Sequence, residues 1–161
     1  MRECGEDRMM RHRMSLTMMV GFVCVLMNNN GFCSDRNTER WILYEKSSEG
    51  SEFYCDVKSI ISLNPEAVQV WTKEKLSKAM KLKHIQERVK NGFQTDGWDK
   101  LNEVITFQEI DCVKRTFKFL KTVFHNDDGN NLDLITYPNP KPIPIAPNSI
   151  GEELLNGVCP K

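Results

Sequence analysis

The stretches EVITFQEIDC (Glu103–Cys112) and RTFKFLKTVFH (Arg115–His125) decide the fold of this chain. Both are rich in β-branched and aromatic residues, which favour β-strands, and only Val113 and Lys114 separate them. The second stretch is followed by NDDGNN and then by LDLIT, and an Asp-Gly pair between apolar runs is a strong hairpin signal. We therefore predict three consecutive antiparallel strands in this half of the chain.

The preceding residues predict three more strands. RWILYEK (Arg40–Lys46) and EFYCDV (Glu52–Val57) flank the turn sequence SSEGS, a pattern typical of a hairpin. AVQVWTK (Ala67–Lys73) follows the turn signal Asn64-Pro65 and has valines at alternate positions, as in a half-buried strand. The expected fold class is α+β, with a sheet of about six antiparallel strands.

A helical excursion is predicted between the third and fourth of these strands. KEKLSKAMKLKHIQERVKNG (Lys73–Gly92) has the composition of a helix, and Asn91-Gly92 is a plausible stop. Its apolar residues divide between two opposite faces at 100° per residue. One face carries Leu82, Ile85 and Val89, and the other carries Leu76, Ala79 and Met80. We expect this helix to pack loosely on the sheet.

The chain ends in a proline-rich segment followed by a second helix. YPNPKPIPIAPNS (Tyr137–Ser149) resists both helix and central strand, so it should run extended. Ser149 and Glu152 fit a capping box, which predicts that a helix begins there. Its apolar stripe consists of Ile150, Leu154 and Val158. The pair Asn156-Gly157 is the predicted end of the helix.

Residues 1–33 have the plan of a secretory signal peptide, and residues 34–161 form the predicted single domain. MSLTMMVGFVCVLM (Met14–Met27) is an apolar run that follows basic residues and is short for a membrane span. We expect cleavage near Cys33, and export to the periplasm or the outer cell surface with no transmembrane span left afterwards. An uncleaved anchor, a lipoprotein and a start at Met9 or Met14 are the alternatives. In an oxidising compartment, two of the remaining cysteines should form a disulfide, which leaves one thiol.

The order of these elements resembles the surface-adhesin protein E family. The resemblance is carried by RWILYEKSSEGSEFYCDVKSI, VQVWTK, EIDCVKRTFKFLKTVFHNDDGNNL and PIPIAPNSIGEELLNGVC. It implies an exported protein of a Gram-negative bacterium whose C-terminal helix is tethered to an antiparallel sheet by a disulfide, here Cys112 to Cys159. Such a bond closes a loop of about 48 residues and should stabilise the fold by roughly 4 kcal/mol. The resemblance also implies adhesion to extracellular-matrix proteins of a host.

The sequence offers no positive support for catalysis. It has no Gly-x-Ser-x-Gly turn, no phosphate-cradling glycine loop and no metal-ligand spacing around His84 or His125. We therefore predict no enzyme activity, no cofactor and no metal. Cys55 is expected to be a buried inert thiol, and a thiol-dependent enzyme centred on it is the least favoured alternative.

Charge points to one local feature. Lys+Arg and Asp+Glu balance at 22 each, so the whole chain has no field that would attract a polyanion. Residues 73–90, however, carry seven basic and two acidic side chains. These seven are the candidate contact with a matrix protein or an acidic surface polymer: Lys73, Lys75, Lys78, Lys81, Lys83, Arg88 and Lys90. The alternative is that these lysines only keep a solvated helix soluble and bind no partner. Nucleic acid is not expected as a partner, because no aromatic residue lies between the basic residues for base stacking.

A second hypothesis is a periplasmic module that carries a small ligand between the sheet and the C-terminal helix. Such a pocket needs concave, mostly apolar walls and a few converging polar groups. A closed sheet–helix interface would count against it. The sequence also leaves a homodimer open, and it names neither ligand nor partner.

Overall fold

The computed structural model describes residues 40–160, and the predicted signal peptide lies outside them. These residues form an α+β domain with eight strands and two α-helices, which confirms the predicted fold class. The elements in chain order are β1 (Trp41–Lys46), β2 (Glu52–Asp56), β3 (Ile61–Asn64), β4 (Ala67–Lys75), α1 (Lys78–Lys90), β5 (Leu101–Asp111), β6 (Thr116–Asn126), β7 (Asn131–Thr136), β8 (Ile143–Pro144) and α2 (Ile150–Val158).

Six strands form the body of one antiparallel sheet, in the order β1-β2-β4-β5-β6-β7. The six predicted strands are these six. Two short strands were not predicted. β3 pairs with the first part of β4, beside the part that β2 occupies. β8 lies inside the proline-rich segment and pairs with β6. Proline is tolerated there because its missing N–H is not needed in a two-residue strand at the edge of a sheet.

The sheet has two faces that the β4–β5–β6 register defines. Val68, Val70, Thr72 and Glu74 of β4 share the first face, on which both helices pack, and we call it the helix face. On the opposite face, Trp71 stacks on Phe107 with ring centroids 4.9 Å apart. The predicted alternation along β4 is therefore confirmed.

Two separate apolar clusters lie on the helix face. The larger one joins the sheet to α2 and to the proline-rich segment. The smaller one joins the sheet to the loop after α1. The fully or nearly buried members of the first are Cys55, Val68, Val70, Ile110, Ile145, Leu154, Leu155 and Val158, and those of the second are Trp98, Leu101, Val104 and Phe124.

Helix α1 begins five residues later than predicted. Lys73–Lys75 continue strand β4, and Ser77 caps the helix by accepting a hydrogen bond from the backbone N–H of Met80. The chain leaves the helix at Asn91 and turns at Gly92, whose φ of +73° favours glycine, as predicted. No residue of α1 is buried, in agreement with the expected loose packing.

Helix α2 is held at both ends. Ser149 accepts a hydrogen bond from the backbone N–H of Glu152, and the Glu152 carboxylate accepts one from Asn148 and pairs with Arg115. At the other end, Cys159 is bonded to Cys112, which confirms the disulfide that the family resemblance implied. The helix continues to Val158, so the predicted end at Asn156-Gly157 was two residues early.

Within residues 40–160, neither helix is long and apolar enough to cross a membrane.

Candidate functional site

A groove crosses the helix face between α1 and α2. It consists of a cavity of about 230 Å³ beside α2 and a wider one of about 520 Å³ beside α1. The two share four lining residues, Glu74, Val104, Thr106 and Phe119, so they adjoin each other. The size of the groove falls in the range of roughly 300–1,000 Å³ that is usual for small-ligand sites. We call this space the inter-helix groove.

The groove exists because polar residues separate the two apolar clusters. Thr72, Thr106 and Thr122 lie side by side on three neighbouring strands and form a polar row across the sheet. Gln108 donates a hydrogen bond to the Thr72 hydroxyl (3.0 Å), and that hydroxyl donates to the Thr106 carbonyl (3.3 Å). Because Gln108, Thr72 and Thr106 satisfy one another's hydrogen-bonding groups, this part of the groove floor is preformed.

Glu74 occupies the point where the two cavities meet. Its side chain is hydrogen-bonded to Ser51, but its Oε1 atom is buried and has no hydrogen-bond partner within the described chain. None of the ion pairs among residues 40–160 includes Glu74. Burial is the main cause that raises the pKa of this carboxyl above its ordinary value.

His84 projects from α1 into the wider cavity. Its Nε2 atom is also buried without a hydrogen-bond partner in the described residues. Burial is the main cause that lowers the pKa of His84, which favours the neutral imidazole. The ring meets Phe124 edge-on, with centroids 5.9 Å apart. The His84 side chain is thus half-buried.

Arg88 closes the rim of the groove on the side of β7. Its guanidinium lies 4.1 Å from the centroid of the Trp98 ring and 2.6 Å from a carboxylate oxygen of Asp133. It also donates to the backbone carbonyl of Gln94 (2.6 Å). Through these contacts Arg88 connects α1 to β7 and to the loop that follows the helix.

The seven predicted basic contacts do not lie on one surface. Lys73 is in β4, where it pairs with Glu103 (3.4 Å) and lies 5.0 Å from the centroid of the Trp41 ring. Lys81 donates to the carbonyl of Asp99 (3.2 Å). The four of the seven that are exposed are Lys75, Lys78, Lys83 and Lys90. At 100° per residue, Lys83 and Lys90 share one side of α1, and Lys78 lies about 120–140° away from them.

Cys55 is buried, as predicted. It belongs to the larger apolar cluster, and its side chain is not accessible to solvent. Burial, assisted by the charge of Asp56, raises the pKa of its thiol to about 12. A thiol with that pKa holds a negligible fraction of nucleophilic thiolate at neutral pH.

Two neighbouring carboxylates on β5 are occupied in structural pairs. Glu109 binds Lys118 (2.9 Å) and Asp111 binds Lys114 (3.2 Å), so these two neighbouring carboxylates do not form an acid–base pair. Hydrogen bonds from the lysines are the main cause that lowers the pKa of both carboxyls. Within residues 40–160, no cluster of three or more His, Cys, Asp or Glu side chains could hold a metal ion.

The fold and the groove together define a small disulfide-bonded α+β domain with a ligand-sized groove between its two helices. Residues 41–160 match the model of a family described as surface-adhesin protein E. The chain therefore belongs to the surface-adhesin protein E family, as its sequence resemblance implied.

Solved structures of protein E from Haemophilus influenzae are similar to this chain. The selenomethionine form is 14% identical, with a TM-score of 0.47, and the match covers 74% of this chain and 84% of that one. Protein E from a non-typeable strain is 12% identical, with a TM-score of 0.46, and the match covers 74% of each chain. A third structure is 15% identical, with a TM-score of 0.44, over 74% of this chain and 83% of that one. No curated protein matches the chain.

Sequence reasoning missed Glu74 as a site residue, although a signal was present. In the alternation that places Val68 and Val70 on the buried face, Thr72 and Glu74 occupy the next two inward positions. A carboxylate at an inward position of a strand is uncommon, because burying it costs free energy unless it is paired. Applied to the strand pattern alone, that rule singles out Glu74 as a candidate site residue.

Proposed function

We propose that this chain is an exported, non-enzymatic binding domain that attaches its cell to surfaces, in the manner that the name of its family describes. The match of residues 41–160 to that family carries the proposal. One feature of the described residues agrees with it: their free cysteine is buried. The proposed partner is an extracellular-matrix protein or an acidic surface polymer.

The proposed contact is the exposed part of the basic segment. Lys75, Lys78, Lys83 and Lys90 are exposed and form no ion pair within residues 40–160. Attraction between their charges and an acidic partner would raise the association rate and make binding depend on salt. Lys73, Lys81 and Arg88 are proposed as secondary, because each already contacts another part of the domain.

Binding of residues 34–161 to immobilised matrix proteins and to heparin tests this function. Changing the four exposed lysines to glutamine together should weaken binding and flatten its dependence on salt. The matched control changes four exposed lysines elsewhere, Lys46, Lys58, Lys114 and Lys141, and should bind like the wild type. Equal loss in both variants, or binding that salt does not affect, would contradict the lysine contact.

The proposed location is outside the cytoplasm, after removal of residues 1–33. Cell fractionation with N-terminal sequencing of the mature protein tests both parts. A mature chain that starts near Ser34 and is reached by protease in intact cells would support display on the surface. A protein recovered with Met14–Met27 still attached would contradict the cleavage.

We also propose a second candidate function, a small-ligand-binding module, because the inter-helix groove is open and has a polar floor. Changing Thr106 to tryptophan should fill the groove at the point that both cavities share. Its neighbour Ile105 points to the opposite face of the sheet, so Ile105→Trp is the matched control. A fragment screen by NMR should then give binders that Thr106→Trp loses and Ile105→Trp keeps. Absence of any groove binder would contradict this function.

A further inference from the structure

We propose that the inter-helix groove selects small molecules that carry a protonated amine on a flat apolar body. This inference rests on the second candidate function proposed above, and it names the chemistry of the ligand. The amine would bind Glu74 at the junction of the two cavities, and the body would lie among the phenyl rings beside it.

The first observation is the state of the Glu74 carboxylate. One of its oxygens is buried without a hydrogen-bond donor. No ion pair in the described chain includes Glu74, and Lys83, whose positive charge acts on it, lies beyond ion-pair distance. An unpaired buried carboxylate costs free energy, which a bound cation with N–H donors would recover. An alcohol would supply the donor without the charge, and an anion would be repelled.

The second observation is the aromatic surrounding of Glu74. Phe53 is its cross-strand neighbour on β2, and Phe119 lines both cavities. Phe117 packs against Phe119 with ring centroids 4.9 Å apart. The faces of such rings attract ammonium groups. Among residues 40–160, the cation–π contacts involve Trp41, Tyr54, Phe93 and Trp98, so these three phenyl rings are not taken by an internal cation.

The third observation is that the arginine lining the groove is already engaged. Arg88 lines the wider cavity, but its guanidinium is bound to Asp133 and lies over Trp98. It therefore neither neutralises Glu74 nor offers an anion a free partner. The groove thus combines one unpaired negative group with free aromatic surface, which is the complement of an amine on an apolar body.

A matched series of ligands separates charge from shape. Phenethylamine, phenethyl alcohol and 3-phenylpropionate share a phenyl ring on a short chain and end in an ammonium, a hydroxyl and a carboxylate. Their affinities for residues 34–161 can be measured at pH 7 by ligand-observed NMR or calorimetry. We expect the amine to bind about tenfold more tightly than the alcohol, the usual gain from a hydrogen bond to a charged group, and the carboxylate to bind most weakly.

Variants of single residues test which side chain makes the groove prefer the amine over the alcohol. Glu74→Gln keeps the shape of the side chain and should bring the amine down to the affinity of the alcohol without weakening the alcohol itself. Glu66→Gln, at an exposed site in the turn between β3 and β4, is the matched control and should keep the wild-type preference. Phe119→Leu leaves an apolar wall but removes the ring face, so it should lower the affinity of the amine more than that of the alcohol.

The outcomes that overturn the inference are distinct from those that overturn the groove function. If the three ligands bind equally, or if Glu74→Gln keeps the preference, the inference fails while the groove remains a binding site. If none of the three binds and the fragment screen also finds no groove binder, the groove function and the inference fail together. Thermal melting of each variant confirms that a lost preference does not come from unfolding.

Discussion

The guanidinium of Arg88 lies over the Trp98 ring, with Cζ 4.1 Å from the ring centroid, and it joins a helix without buried residues to the sheet. Trp98 is buried in the smaller apolar cluster, whereas Leu82 and Val89 of α1 are 50% and 59% exposed. Ile85 packs against the same cluster, so Arg88 and this apolar contact together hold α1, and with it one wall of the inter-helix groove.

We predict that Arg88→Ala will lower the free energy of unfolding by about 1–2 kcal/mol, the combined worth of a partly buried cation–π contact and an ion pair. Hydrogen exchange should also become faster along Lys78–Lys90, because the helix loses one of its attachments to the sheet. Lys90→Ala, at an exposed site on the same helix, is the control and should stay within about 0.5 kcal/mol of the wild type. Unchanged exchange in Arg88→Ala would show that other contacts hold the helix.

The disulfide should matter most for α2. Cys112 and Cys159 are 47 positions apart, and closing a loop of this size stabilises a fold by about 4 kcal/mol on the chain-entropy model. We predict that the double variant Cys112→Ser, Cys159→Ser will lose stability of that order and that α2 will exchange its amide hydrogens first, since nine residues form a marginal helix without an anchor. Urea denaturation with and without reductant measures the loss. A wild-type protein that reductant does not weaken would contradict the prediction.

Most of the fold followed from local patterns. The hairpins around Ser47–Ser51 and Gly129, the alternation in β4 and the cap at Ser149 all depend on residues close together in sequence, where turn and period rules apply. The two strands that were missed lack such signals. β3 is exposed along its whole length, and β8 is two residues long and contains a proline.

The inter-helix groove could not be predicted from the sequence in the same way. Its floor forms because Thr72, Thr106 and Thr122 meet across three strands, and that register depends on pairings between residues far apart in the chain. The prediction that the seven basic residues form one contact surface was incomplete for a related reason. The predicted helix included Lys73, but pairing with β5 extends β4 through Lys75 and turns Lys73 to the opposite face. Tertiary pairing there overrides a helix-forming composition.

The buried thiol provides a test of the non-enzymatic assignment. Because burial raises the pKa of Cys55 to about 12, we predict that iodoacetamide will not label folded residues 34–161 at pH 8. In denaturant without reductant, one thiol per chain should react, since Cys112 and Cys159 remain bonded. Free glutathione in the same solution is the reactive control. Labelling of folded Cys55 at the rate of glutathione would contradict the prediction and support the hypothesis of a thiol-dependent enzyme.

Glu74 should lower the stability of the free protein at neutral pH. Burial raises the pKa of this carboxyl in the folded state above its ordinary value of 4.5, so the folded protein holds the proton more tightly than the unfolded chain. The contribution of Glu74 to stability is therefore fully present below pH 4.5 and is lost as the pH rises through the folded-state pKa.

We accordingly predict that Glu74→Gln will raise the free energy of unfolding at pH 7, because the amide removes a buried charge and can still accept the hydrogen bond from Ser51. Urea denaturation at pH 7 and at pH 3.5 should show this gain at the higher pH and little of it at the lower. Comparison with Glu66→Gln at both pH values removes the effect of the other carboxylates. A gain of the same size at both pH values would mean that Glu74 acts through its shape, and the charge that the proposed amine ligand needs would be missing from the groove.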